Sequence, residues 1–302
     1  MSDKVNNYIQ INGLFFSDLA CERRRADTTI PGVEWSSSES GNMKTERIRI
    51  SSEKGAESIG RPCGNYHTII SPEFTSLCDS DISHLTSMLA EELTEMCSPF
   101  RTGKTASLLV AGLGNRLLTP DAVGPLSAEE CNPTRHIMRG DKKLFDELKC
   151  DSIAVVSPGV SAATGLEAAD MVAGAAGSTG ADIVIAIDAL CARSVSRLAT
   201  TIQISDTGIF PGSGVGNNVK PLNRDTVGVP VIAVGVPTMI DSRVFTLDIL
   251  DGAGNQKAKD ELIDMLDEVP VTYVTPRLCD GVVKSAAKII GGAINRAFGV
   301  VV

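Results

Sequence analysis

Two aspartates in this 302-residue sequence stand where folding alone does not call for a carboxylate. Asp121 lies in the loop GLGNRLLTPDAVGP (residues 112–125), directly after Pro120, whose ring fixes one backbone dihedral. Asp188 closes the apolar run DIVIAID (182–188). Two carboxylates brought close together do not both ionise readily, so one keeps a proton while the other remains a base. Such a pair can activate a water and protonate a leaving amine, the chemistry of peptide hydrolysis without a metal. Asp188 also has a plainer reading, as the N-cap of a helix over ALCARSVSRL (189–198).

Other chemistries fit less well. A dinucleotide fingerprint needs G-x-G-x-x-G, and after Gly112 and Gly114 the third glycine's place is held by Leu117. No G-K-[ST] follows either, and the glycine-rich SDTGIFPGSGVGN (205–217) matches neither pattern. Ser213 lacks the G-x-S-x-G elbow of a nucleophilic serine. His67, His84 and His136 all precede the stretch that holds the later candidate loops, and read as surface or satisfied polar residues. The eight cysteines are scattered without a C-x-x-C pair, which in a chain without secretory features indicates reduced thiols rather than disulfides or structural zinc.

These groups must be positioned by a soluble fold. Hydrophobic residues make up 43% and charged residues 22%, while aromatics are only 4%, so small aliphatic packing fills the core. A net charge of −9 argues against direct nucleic-acid binding. The polar start MSDKVNNYIQING has no signal-peptide character, no run is long enough to span a membrane, and a cytoplasmic location follows. Residues 1–42 read as a mobile polar arm and connecting loop, with Arg23, Arg24 and Arg25 as solvated surface charge. Strands are expected at ERIRIS, NYHTIIS, ASLLVA, SIAVVS, DIVIAID, TTIQIS and VPVIAVG. Helices are expected at SEKGAESIG, over 80–96, at TGLEAADMVAGAAGSTG and at DGVVKSAAKIIGGAINRAF. The alternation from residue 106 onward predicts an α/β fold: a mostly parallel twisted sheet with helices on both faces. In such a sheet, function collects beyond the carboxyl ends of the strands, where both aspartate segments fall.

Several long segments carry a resemblance: GLGNRLLTPDAVGP, SPGVSAATGLEAADMV, DIVIAIDALCARSVSRLATTIQISDTGIFPGSGVGN, GVPVIAVGVPTMID and VTPRLCDGVVKSAAKIIGGAINRAF. In this order they resemble the germination protease family of spore-forming bacteria, endopeptidases that begin the degradation of small acid-soluble spore proteins. The resemblance implies that Asp121 and Asp188, in the family's T-P-D-A-x-G and A-I-D-A-L motifs, are the essential carboxylates. It implies a fold similar to the hydrogenase-maturation endopeptidases, whose members hold a metal through two carboxylates and a histidine. No third ligand is evident here, so a metal-free, cofactor-free mechanism is preferred, with the metal-dependent peptidase as the alternative.

The family is made as a zymogen whose prosegment is cut at a site similar to its substrates' sites, acidic–apolar–Ala–x–Glu. SDLACE fits, which places self-cleavage between Asp18 and Leu19, a prosegment over 1–18 and a single α/β catalytic domain over 19–302. The resemblance further implies spore proteins as substrates, a homotetramer and residence in the spore core. Bacillus-type members carry a long insertion between the segments equivalent to VPTMID and VTP that is absent here, which bears on the tetramer contacts.

Overall fold

The computed structural model describes residues 17–23, 30–210, 220–266 and 269–300. Among them, nine strands join in one sheet. They are β1 (Val33–Ser40), β2 (Met43–Ile50), β3 (Gly64–Ile70), β4 (Ser107–Gly112), β5 (Ser152–Val156), β6 (Ile183–Ala192), β7 (Thr201–Ser205), β8 (Val231–Asp241) and β9 (Tyr273–Val274). Their spatial order is β1-β2-β3-β7-β8-β6-β4-β5, with β9 on β8. The α/β class holds. The half of the sheet formed by β8, β6, β4 and β5 is parallel, and β7, β3, β2 and β1 extend it as an antiparallel ribbon.

The parallel strands read as unbroken apolar runs because helices cover both of their faces. One face carries Ile183, Ile185 and Ile187 of β6 with Ile232, Val234 and Val236 of β8, packed with buried residues of the helices Asp79–Cys97 and Cys279–Phe298. The other carries Val184 and Ala186 of β6 with Ala233 of β8, packed with Ala169, Val172 and Ala176 of the helix Ala168–Thr179. Helix Asp79–Cys97 buries Leu85, Leu89, Leu93 and Met96, the three- and four-residue spacing of one helical stripe. No helix among the described residues is long and apolar enough to cross a membrane.

The expectation of a mobile arm through residue 42 is corrected. Residues 33–40 form β1, paired along its full length with β2 around a turn in which Gly41 takes a φ of 62°. Its sequence, VEWSSSES, lies almost wholly exposed at the edge of the sheet, so it has no buried side to leave an apolar alternation. The backbone ladder holds it, helped at its ends by Val33 packing on Ile48 and its neighbours and by the Ser40–His84 contact. Residues 17–22 are likewise anchored, in the core rather than on the surface, as described below. Residues 1–16, and Arg24 and Arg25, lie outside the described residues.

A buried ion cluster joins the antiparallel ribbon to helix Asp79–Cys97. Glu92 accepts from Arg47 Nε at 3.1 Å and from Arg47 Nη2, and its Oε2 lies 2.6 Å from His67 Nδ1. Burial pushes the Glu92 carboxyl upward, but the hydrogen bonds from His67 and Arg47 outweigh it and hold it below the usual range. An acid with a lowered folded-state pKa contributes stability that is complete above its unfolded value and is lost as pH falls through the folded one. Arg47→Met, which removes one of the two partners that compensate this burial, should therefore cost about 2 kcal/mol near neutral pH. The cost should shrink below about pH 4, and urea melts of the two proteins across pH would show whether the difference follows that course.

Candidate active site

The site begins where β4 stops. Its last pairing is Gly112 with Ile187, whereas β6 and β8 run on side by side to Ala192 and Ile240. The chain leaving β4 turns through residues 113–122 and enters the helix Val123–Glu129. Three glycines allow it to fold back so tightly. A Cβ on Gly112 would lie 2.3 Å from the Gly124 carbonyl oxygen, and one on Gly124 would lie 2.2 Å from that of Leu113 and 2.4 Å from that of Ile187. Gly114 has φ +106°, and a Cβ there would lie 2.1 Å from the Asp121 carbonyl oxygen. The glycines that imitate a nucleotide loop therefore serve to press a carboxylate-bearing turn against the sheet.

Asp121 ends the single 3-10 turn Thr119–Asp121, and its Oδ2 accepts the Asn115 N–H at 2.7 Å. Thr238 of β8 donates to the Pro120 carbonyl at 2.6 Å, pinning the same turn to the neighbouring strand. Sequence reasoning missed Thr238, since a threonine inside an apolar strand carries no motif.

Asp188 does not close β6, and no helix follows it. The strand continues to Ala192, with a bulge between Leu190 and Cys191, because β8 remains alongside to supply hydrogen bonds. The chain after it forms only the short turn Val195–Arg197. The helix-capping reading is thereby removed. Asp188 accepts the adjacent Ala189 N–H at 2.9 Å and is only 4% exposed. Burial raises its carboxyl well above the ordinary range, the charges of Asp121 and Asp18 raise it further, and the Ala189 N–H opposes them. Asp121, less deeply placed, is raised by burial against the pull of the Asn115 N–H. Both carboxyls are thus raised, Asp188 by the deeper burial.

The structure places the other candidates away from this chemistry or outside view. His67 is engaged with Glu92, and Ser213 lies outside the described residues. Cys191 follows Asp188 by three residues, but burial, followed by the charge of Asp18, pushes its thiol up to about 12, so it is no thiolate nucleophile. Among the described residues, one group of three metal-capable side chains has ligand atoms within 4.8 Å of one another: His67, Glu92 and Glu95. Arg47 already neutralises its central carboxylate, which suits a structural ion cluster better than a cation site.

The residues read as a cleavage site, Asp18 and Leu19, are both buried, at 9% and 0% exposure. Asp18 donates its N–H to the Cys191 carbonyl at 3.0 Å and accepts the Cys191 N–H on Oδ2 at 2.8 Å. Gln203 of β7 donates to the Asp18 carbonyl at 2.9 Å and accepts the Ala20 N–H at 2.7 Å. Sequence reasoning missed Gln203, although a polar residue inside TTIQIS was a visible signal.

The carboxyl end of the parallel strands thus carries a buried carboxylate that feels the charge of a second one, within an α/β fold. Comparison with known proteins narrows this. The germination protease family, peptidase A25, matches residues 16–260. A germination protease of Bacillus velezensis is 40% identical over 256 residues, covering 82% of this chain and 69% of that protein. One of a Geobacillus species is 39% identical over 230 residues, covering 76% of this chain and 61% of that protein. One of Caldanaerobacter subterraneus is 35% identical over 309 residues, covering 93% of both. Among solved structures, the NiFe hydrogenase maturation protease HycI of Thermococcus kodakarensis matches at 17% identity and a TM-score of 0.32, over 58% of this chain and 97% of its own. The chain belongs to the germination protease family. It spans about two thirds of the Bacillus and Geobacillus relatives' length but nearly all of the Caldanaerobacter one's.

Proposed function

We propose that this chain is the endopeptidase that begins degradation of small acid-soluble spore proteins in the spore core, with Asp121 as the base and Asp188 as the acid. The observation that supports the mechanism is the placement of Asp188, 4% exposed on β6 beyond the last pairing of β4, where burial first and the charge of Asp121 second raise its carboxyl. Asp121 takes a proton from water as its oxygen adds to the peptide carbonyl, and Asp188 gives its proton to the departing nitrogen. Proton exchange between the two then restores the starting state. The same reading makes residues 1–18 a prosegment removed by self-cleavage after Asp18, leaving 19–302 as one catalytic domain. It also makes the active form a homotetramer, which light scattering would count.

The test is proteolysis of a small acid-soluble spore protein in excess chelator, by the parent and by Asp121→Asn and Asp188→Asn variants. Cleavage by the parent alone, after an acidic residue, is the expected outcome. Its rate should fall at low pH as Asp121 gains a proton and at high pH as Asp188 loses one, a bell whose two limbs belong to the pair. Cleavage that stops in chelator and returns with added metal would replace this mechanism with the metal-dependent one.

A further inference from the structure

Asp188 and Gln203 share one face of the sheet and one row across it. Asp188 on β6 and Gln203 on β7 both pair with Gly235 of β8. Two strand spacings put their Cα atoms about 10 Å apart, and aligned residues point to the same side. That side is the face where Leu19 packs with Val184, Ala186, Leu190 and Ala233. The segment that resembles a cleavage site therefore lies on the catalytic face.

It is also gripped position by position. The Asp18 carboxylate has the Cys191 N–H on one oxygen and the Arg61 guanidinium 3.6 Å from the other, while Arg61 Nη2 donates to the Ser17 carbonyl. Leu19 is fully buried. Ala20, also fully buried, sits among Ile48, Ile50, Ile59 and Tyr66, where a larger side chain has no room. Cys21 is half-buried. The two Glu22 oxygens accept the Arg193 and Ser194 N–H groups at 2.8 Å each. The positions that the pattern acidic–apolar–Ala–x–Glu specifies each have a receptor.

Resting on the endopeptidase reading, we propose that residues 18–22 occupy the groove as a substrate does, and that Gln203 is a further catalytic residue. Its amide holds the carbonyl of the Asp18–Leu19 bond, at a distance that suits an oxyanion donor. As the water oxygen bonds to the carbonyl carbon, the C=O electron pair moves onto the oxygen held by Gln203. As that pair returns, the C–N bond breaks and the nitrogen takes the proton from Asp188. Arg61 and the Cys191 N–H read the acid before the bond, and the Arg193 and Ser194 amides read the glutamate four residues later.

Two measurements on the full-length chain separate this proposal from the reading beneath it. The first is amide exchange in an Asp188→Asn background, which keeps the segment intact. The Ala20 N–H should be protected, and Gln203→Leu should speed its exchange at least tenfold while helix Cys279–Phe298 stays unchanged. An Ala20 amide exchanging like an unfolded one would overturn the seating whatever the activity. The second is the rate at which the full-length chain cuts its own Asp18–Leu19 bond. Gln203→Leu should lower that rate by about 10²–10³-fold with both limbs of the pH profile in place, a pattern that a purely structural role would not give. Arg61→Met should reduce the preference for Asp over Asn at position 18, read as the rate ratio of the parent and Asp18→Asn chains, at least fivefold. An unaltered rate in Gln203→Leu would remove its catalytic role, and an unaltered preference in Arg61→Met would remove that receptor. If the parent does not cut itself but cuts a spore protein, the role of Gln203 at this bond falls while the endopeptidase reading stands, and exchange still decides the seating.

Discussion

Asp188→Asn should abolish cleavage and, at neutral pH, make the protein more stable. The activity loss follows from the proposed mechanism, in which Asp188 is the acid that protonates the leaving nitrogen, a role general acid catalysis values at about 10²–10⁴-fold. The stability gain follows from the same burial. The folded-state pKa of Asp188 is raised, so the native state binds a proton more tightly than the unfolded chain does. For an acid shifted in that direction, stability is complete below the unfolded value of about 3.9 and declines as pH rises toward the folded one. An asparagine is nearly the same size and never ionises, so it escapes that penalty. The melting temperature of the variant should exceed that of the parent at pH 7, and the gap should close toward pH 4. A variant that melts lower at every pH and still cuts would show that Asp188 is a structural carboxylate. Stability given up at a reactive centre is the familiar cost of holding a perturbed group in place.

Gly124→Ala should be severely damaging. Its Cβ would meet backbone on every side: the Leu113 oxygen at 2.2 Å, the Ile187 oxygen at 2.4 Å and the Leu113 nitrogen at 2.5 Å. None of these is the flexible end of a side chain that could swing aside. Helix Val123–Glu129 would have to lift off the ends of β4 and β6, carrying the Asp121 turn away from Asp188. Overpacking of this kind costs about 3 kcal/mol or more, and any folded fraction should be nearly inactive. Gly174→Ala makes the contrast, since it lies within helix Ala168–Thr179 and its added methyl meets nothing within 4 Å. There the substitution should stabilise by up to about 1 kcal/mol. Thermal melts of the two variants that shifted alike would refute the view that close backbone approach, rather than glycine content, shapes the site.

Much of this was legible because it is local. The parallel strands announce themselves as β-branched apolar runs bracketed by helices, since burial on both faces demands that composition. The two aspartates stand out for the converse reason: a carboxylate in such a run, or fixed behind a proline, conflicts with its surroundings. The glycines of the Asp121 loop could be read as packing glycines because the nucleotide patterns failed at Leu117. β1 was not legible, because an exposed edge strand is held by backbone hydrogen bonds that its side chains do not report. Nor was the extent of β6 beyond Asp188, which depends on β8 running beside it to Ile240.

The sequence by itself determined the α/β class, the family motifs and the two carboxylates, because hydrophobic period and residue chemistry act within a few residues. Only the tertiary structure decided which aspartate is the deeper, that the segment around Asp18 lies on the same sheet face as Asp188, and that Gln203 meets the Asp18 carbonyl there. Those facts rest on pairings between residues as distant as Asp18 and Gln203. Strand order creates them, and strand order is settled by which faces can be buried together rather than by any local run of residues.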